Sequence, residues 1–288
     1  METPKTMGKK ITVVTTFHPK GLSTYGQQFL DSFARNVDKR ISLIVYAEDC
    51  VPLNPDPSRI TILDQKQSLP KLVAFKERWK TVPKANGVPP ADIKAKRPRD
   101  WNKAFKWDAV RFANKVYAVF DACERRTGTW VVWMDADSII HSSWNYEDFA
   151  NLLPNNTYIT YVGRGKGSQT WPECGFYGLN LDHPVCHSFL KDFEQMYEDA
   201  ETGIFTLEEW HDSYVFGKIL DKYKEFPSYD YSANIYNNTA KTGGGGHPLI
   251  NSELGRWMDH MKGDRKFDGH SKRKDLIGNR NEPYWQNI

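Results

Sequence analysis

Asp135-Ala136-Asp137 follows the apolar run Val131-Val132-Trp133-Met134, so two carboxylates at i and i+2 stand at the end of a buried strand. Ionised carboxylates in such a place need a compensating partner. A hard divalent cation is one, and Mg2+ or Mn2+ prefers carboxylate together with phosphate oxygens. Asp135 and Asp137 are therefore expected to hold Mn2+ or Mg2+ against a phosphorylated ligand. A further charged set lies upstream. Asp108, Arg111 and Lys115 fall at i, i+3 and i+7, one face of a helix, where they can pair with one another or turn a cation toward the same ligand.

The elements that must position these groups can be read from periodicity. Lys10–Thr16, Ile41–Tyr46 and Ile60–Leu63 are β-branched runs that predict strands, and Gln27–Asn36 carries Phe29, Leu30 and Phe33 at helical spacing. Ala104–Arg125 predicts a long helix leading into the strand Trp130–Met134. Tyr158–Val162 and Phe176–Asn180 predict two more strands, and Cys186–Tyr197 and Glu208–Lys222 two more helices. Residues 76–104, with Pro83, Pro89, Pro90 and Pro98, predict a long loop, and the chain beyond Tyr229 reads as irregular. Successive βα units predict a parallel α/β sheet with the ligand outside the carboxyl ends of its strands.

Composition narrows the class. With 288 residues, 39% hydrophobic and 26% charged, the chain suits a globular core. No apolar run approaches the ~18 residues of a membrane span, and the polar start leading into Ile11-Thr12-Val13-Val14 does not read as a signal peptide. Cys50, Cys123, Cys174 and Cys186 are widely spaced and read as free thiols of a reducing, cytoplasmic compartment. The net charge of +3 hides an asymmetry. Residues 76–115 hold twelve Lys or Arg against four Asp or Glu, and residues 262–274 hold six against two. Such runs are solvated faces or contacts to a polyanion.

The Asp-Ala-Asp strand end resembles that of GT-A nucleotide-sugar glycosyltransferases. The resemblance implies an α/β, Rossmann-like single-domain sandwich over residues 1–288, with a mostly parallel central sheet and an irregular C-terminal extension. Residues 10–137 would bind the nucleotide sugar, and residues 138–288 would bind the acceptor and close the metal and diphosphate site. His260-Met261-Lys262-Gly263-Asp264-Arg265-Lys266 resembles the H-x-x-G-x-x-K segment of glycogenin-like relatives, although Phe267-Asp268 replaces the Pro-Trp that follows there. By that resemblance His260 completes the metal site, Gly263 lets the backbone approach the donor diphosphate and Lys266 neutralises it. Imidazole, a residue without Cβ and an ammonium suit those roles. The resemblance further implies a UDP-sugar donor cradled by Thr15, Thr16, Phe17, Tyr25 and Asp49, with Arg111 or Lys115 toward the diphosphate. Asp212, opening a helix, is the first candidate for the base of an inverting reaction and Glu173 the second.

For the acceptor, the chain resembles base-J-type and phage DNA glucosyltransferases in the Asp-Ala-Asp segment, Phe112-Ala113-Asn114-Lys115, Glu173-Cys174-Gly175-Phe176 and His260–Lys266. This implies transfer of a hexose, glucose above all, to a hydroxymethylated pyrimidine in double-stranded DNA, by an enzyme acting in the cytoplasm and encoded by a phage. Trp79, Lys96, Arg97, Arg99 and Trp101 in the basic stretch would neutralise phosphates and stack on bases. The alternative acceptor is a glycan or lipopolysaccharide, with the aromatic side chains stacking on sugar rings.

Overall fold

The apolar runs at residues 11–17, 42–47 and 130–134 become strands because both faces of each are covered, which is the environment of a parallel sheet. A computed structural model describes residues 8–96, 103–164, 171–233 and 247–288. Its strands are β1 (Ile11–Phe17), β2 (Ser42–Ala47), β3 (Ile60–Asp64), β4 (Trp130–Met134), β5 (Ser138–Ile140), β6 (Ile159–Val162), β7 (Glu173–Asn180), β8 (Ser228–Asp230) and β9 (Met258–His260). Seven of them form one sheet in the order β3-β2-β1-β4-β7-β6-β8. Only β7 runs against the others, pairing antiparallel with β4 and β6. The fold is thus α/β with a mostly parallel central sheet, as the sequence leads one to expect. Strands β5 and β9 pair separately.

Helices cover both faces. On one lie α2 (Pro70–Trp79), α3 (Ala109–Arg125), α4 (Pro184–Glu198) and α5 (Asp212–Lys222), packed on Val14, Tyr46, Val131 and Tyr177. On the other, α1 (Gln27–Asn36) and the aromatic rings of Trp144, Phe149 and Trp285 pack on Val13, Val45 and Val132. Alternate residues of one strand, Val131 and Val132, serve opposite cores, as the period of two requires.

Several boundaries differ from the sequence reading. Part of the stretch expected as a loop is helical: α2, opened by Pro70, runs on through residues 76–79, and Ile93–Lys96 forms a short helix. Trp79, expected to stack on a DNA base, closes that helix as a core residue. It is 8% exposed, and its ring meets Phe205 edge-on at 4.6 Å. The long helix starts at Ala109, not Ala104, because the Asp108 side chain accepts from the Arg111 amide at 3.2 Å and caps it there; Ala104–Trp107 is a 3-10 turn. Likewise α5 starts at Asp212, not Glu208. The Glu208 carbonyl accepts from Trp107 Nε1 at 2.9 Å, and the Trp210 amide donates to the Lys106 carbonyl at 2.6 Å, so this segment is tied to the 3-10 turn. Strand β7 begins three residues earlier than expected, at Glu173.

Candidate metal and donor site

Backbone pairing brings the two halves of the chemistry together, although more than 120 residues separate them in sequence. The Asp135 amide donates to the Gly175 carbonyl at 2.9 Å, and the Met261 amide to the Asp137 carbonyl at 2.7 Å. In the β5–β9 pair, Ser138 lies opposite His260. Strand β9 is held from behind through Asp259, which accepts from the Ser271 amide at 2.7 Å and the Tyr284 hydroxyl at 2.8 Å. The His260 ring then lies across Gly175. A Cβ at that glycine would stand 2.7 Å from His260 Cε1, so only glycine seats the ring there.

His260 Nε2 points between the two aspartates, 3.3 Å from Asp137 Oδ1 and 3.5 Å from Asp135 Oδ2. One ligand atom from each of Asp135, Asp137 and His260 falls within 4.8 Å of the others. The opposite ring nitrogen, Nδ1, is buried without a hydrogen bond and stands 3.6 Å from Glu173 Oε1. Two carboxylates and an imidazole backed by a carboxylate suit Mn2+ or Mg2+ with coordination positions left for phosphate oxygens. The electrostatics point the same way. Burial disfavours a charged imidazole, yet Asp137, Asp135 and Glu173 outweigh it and push His260 up to about 10. The cluster therefore demands positive charge, which a bound cation would supply.

Of the two helix cations, the structure turns only one inward. Arg111 is exposed and lies 3.7 Å from Asp108 on its own helix, at the cleft wall. Lys115 is buried, with Nζ 3.0 Å from Asp135 Oδ1 and 2.8 Å from Asp212 Oδ2, and donates as well to the Cys174 carbonyl. Burial opposes its charge, but Asp135 and Asp212 keep it protonated. Trp133 Nε1 adds a 2.7 Å hydrogen bond to Asp135 Oδ1. Glu173, 4% exposed, is ringed by Lys262 Nζ at 2.8 Å, Arg164 Nη2 at 3.2 Å and His260. Despite burial, Lys262, His260 and Arg164 hold its carboxyl below the usual range. Both expected proton acceptors, Asp212 and Glu173, thus line the cleft with cations already on them.

The cleft has a volume of about 1000 Å³, at the upper end of small-ligand sites, so it has room for a donor and part of an acceptor. At one end stand Thr16, Phe17, His18, Tyr25 and Glu48. Tyr25 belongs to a π-helical turn, Leu22–Gly26, a local irregularity common at functional sites. Burial, with Asp137 and Asp135, pushes its hydroxyl up to about 12. Lys266 Nζ lies over the Tyr25 ring and 3.5 Å from Asp137 Oδ2. Gly263 lines the cleft with φ of 68°, so the glycine is required for its left-handed backbone, while a Cβ there would meet only open space. Two expected donor contacts are placed elsewhere. Asp49 pairs with Lys66 at 2.7 Å on the surface, leaving the neighbouring Glu48 on the cleft wall. Thr15 is fully buried inside β1 because its strand neighbour Thr16 takes the cleft-facing position.

At the other end the wall includes Lys103, Phe105, Lys106, Phe112, Trp171, Glu209 and His211. Sequence reading missed Glu209 and His211; the only signal for them was their place before Asp212. Lys96 is exposed on a short helix, paired with Asp92. Arg97, Arg99 and Trp101 lie outside the described residues.

No known protein family matches the sequence, and no curated protein does so either. Among solved structures, mouse xyloside xylosyltransferase 1 is similar at 11% identity and a TM-score of 0.43, over 85% of this chain and 93% of that one. The WbbM bifunctional glycosyltransferase matches at 11% identity and a TM-score of 0.47, over 99% of this chain. The glycosyltransferase GlyE of Streptococcus pneumoniae TIGR4 matches at 11% identity and 0.46, over 98% of this chain. The chain spans 52% and 60%, respectively, of those two proteins.

Proposed function

We propose that the protein is a metal-dependent glycosyltransferase that uses a UDP-sugar. One observation carries this reading: β5–β9 pairing sets His260 Nε2 between the carboxylates of Asp135 and Asp137, at a strand end that opens into a cleft. Asp135, Asp137 and His260 would hold Mn2+ or Mg2+. When bound, the ion would supply positive charge against the donor diphosphate and the departing nucleoside diphosphate. Lys266, beside Asp137, adds a second positive charge for that group, and the backbone at Gly263 can approach it. Thr16, Phe17 and Tyr25 enclose the nucleoside end. A screen of UDP-sugars for Mn2+-dependent hydrolysis tests the reading. Turnover that EDTA removes and Mn2+ restores is expected; turnover at full rate in EDTA overturns it.

For the acceptor, Lys103, Lys106 and Arg111 on the cleft wall, with Lys106 paired to Glu209, and the basic run over residues 76–115 support a polyanion, and a hydroxymethylated pyrimidine in DNA is the acceptor we propose. Phe105, Phe112 and Trp171 on the same wall favour a second reading, a glycan whose rings stack on them. Mass spectrometry of hydroxymethylated duplex DNA incubated with UDP-glucose and Mn2+ separates the two. An added hexose supports DNA, and transfer to oligosaccharide alone supports the glycan.

A further inference from the structure

This inference rests on the glycosyltransferase reading above and takes the transfer to invert the anomeric centre, which needs a group to take the acceptor's hydroxyl proton. The two carboxylates expected for this are poorly placed to do so. Asp212 Oδ2 sits 2.8 Å from the buried Lys115 ammonium, and Glu173 is shared among Lys262, Arg164 and His260. Protonating either would leave a buried cation short of its counter-charge.

We infer that His211, held by Glu209, is the proton acceptor. His211 Nε2 and Glu209 Oε2 are 3.0 Å apart, and both side chains are buried in the cleft wall. Glu209 is itself fixed, its Oε1 taking a 2.9 Å hydrogen bond from Lys106 Nζ, on the 3-10 turn tied to this segment through Trp107 and Trp210. The imidazole lies edge-on to Phe105 at 5.6 Å and beside Phe112 at 6.0 Å and Tyr214 at 6.1 Å. Its orientation is therefore set from several sides. With Nε2–H directed at the carboxylate, the lone pair is on Nδ1. His211 occupies the position before α5, where His18 and His183, before their own helices, spend Nδ1 on capping a backbone amide. His211 makes no such cap. Its Nδ1 has no hydrogen-bond partner among the described residues, and the residue lines the cleft. Of the charged and titratable groups described, Glu209 bonds the ring and Tyr214 packs beside it, Asp212 follows it in sequence, and Lys103, Lys106 and Arg111 line the same cleft.

The step balances without a further reagent. Nδ1 takes the hydroxyl proton, and the oxygen's electron pair forms the new bond to the anomeric carbon. The bond from that carbon to the diphosphate oxygen breaks, and its pair leaves with the nucleoside diphosphate. Asp212, beside the base and paired with Lys115, is then a positioning residue that holds the start of α5 against the metal end.

The test compares the whole protein with its His211→Ala, His211→Gln and Glu209→Gln variants. Mn2+-dependent UDP binding is measured first, then kcat and KM for UDP-glucose hydrolysis and for transfer to hydroxymethylated duplex DNA. His211→Ala should lower kcat by about 10²- to 10⁴-fold while UDP affinity stays within about twofold of wild type. Added imidazole should restore part of the kcat, a rescue that a structural role would not give. His211→Gln, which keeps the packing, should be equally slow if the alanine variant is unstable. Glu209→Gln should be slowed less and should move the acid limb of the pH profile. Wild-type kcat in His211→Gln, or a loss confined to UDP binding, overturns the assignment of His211 alone. A wild-type protein that neither binds UDP with Mn2+ nor hydrolyses the donor overturns the glycosyltransferase reading beneath it.

Discussion

The two ends of the cleft are built by different means. At the metal end, backbone register sets each side chain: Asp135 is bonded to Gly175 across β4 and β7, and His260 faces Ser138 across β5 and β9. At the acceptor end, the wall stands on a 3-10 turn and the entry to α5, joined by single hydrogen bonds from Trp107, Trp210 and Lys106. Strand pairing fixes position over several residues at once, whereas side-chain tethers fix one residue each. The first arrangement suits a fixed ion, and the second a surface that must admit a larger partner.

The largest effect should come from the metal end. Asp137→Asn removes a carboxylate that faces both His260 and Lys266. Transfer should fall more than about 10⁴-fold, on the order of 5 kcal/mol of lost transition-state stabilisation. Metal titration should show the loss in parallel. Strong Mn2+ binding with normal turnover in this variant would break the contrast, because the rigid end would then have no chemical task.

Lys115→Met strikes the junction between the ends, where one ammonium serves Asp135 and Asp212. Removing it leaves two carboxylates in a partly desolvated site, with an expected loss of about 3–5 kcal/mol in unfolding free energy. Denaturant melts measure it, and Lys115→Met combined with Asp212→Asn should recover part of the loss. A stability change confined to a few tenths of a kcal/mol would mean that the ends are independent.

Gly175→Ala sharpens the comparison further, because Gly175 supports Asp135 and His260 without offering a ligand atom itself. Its Cβ would meet the His260 ring at 2.7 Å, so the ring must move from the aspartates. Metal affinity should drop about 10- to 100-fold, the range for disturbed support of a metal ligand, while the melting temperature changes little. This residue also marks the limit of what the sequence tells. Asp135 and Asp137 were legible because an apolar strand ran into them, and His260, Gly263 and Lys266 because their spacing carries a pattern. Gly175 was visible only within Glu173-Cys174-Gly175-Phe176, just ahead of the expected strand Phe176–Asn180. Its role depends on β9 folding back over β7, a non-local pairing that no local period records. The same holds for Lys115, whose helical face was clear but whose direction depended on Asp212, and for Trp79, whose charged neighbours suggested a surface site. The parallel sheet was legible in the β-branched runs, whereas β7 running antiparallel was not, because alternation is the same in either direction.

The smallest effect belongs to the exposed basic surface. Lys96 is exposed on a four-residue helix and pairs with Asp92 one turn earlier, an arrangement worth a few tenths of a kcal/mol. Lys96→Ala should leave stability within about 0.5 kcal/mol of wild type. If the basic wall tracks a phosphate backbone, the same variant should reduce the slope of log affinity against log salt for duplex DNA by about 0.9. The loss should be similar for any DNA sequence, because a phosphate contact carries no base information. An unchanged slope would remove Lys96 from the acceptor surface and confine the positive wall to Lys103, Lys106 and Arg111 inside the cleft. That smaller set suits a compact acceptor better than a duplex, because three cations lining a pocket neutralise a local charge and cannot follow a backbone.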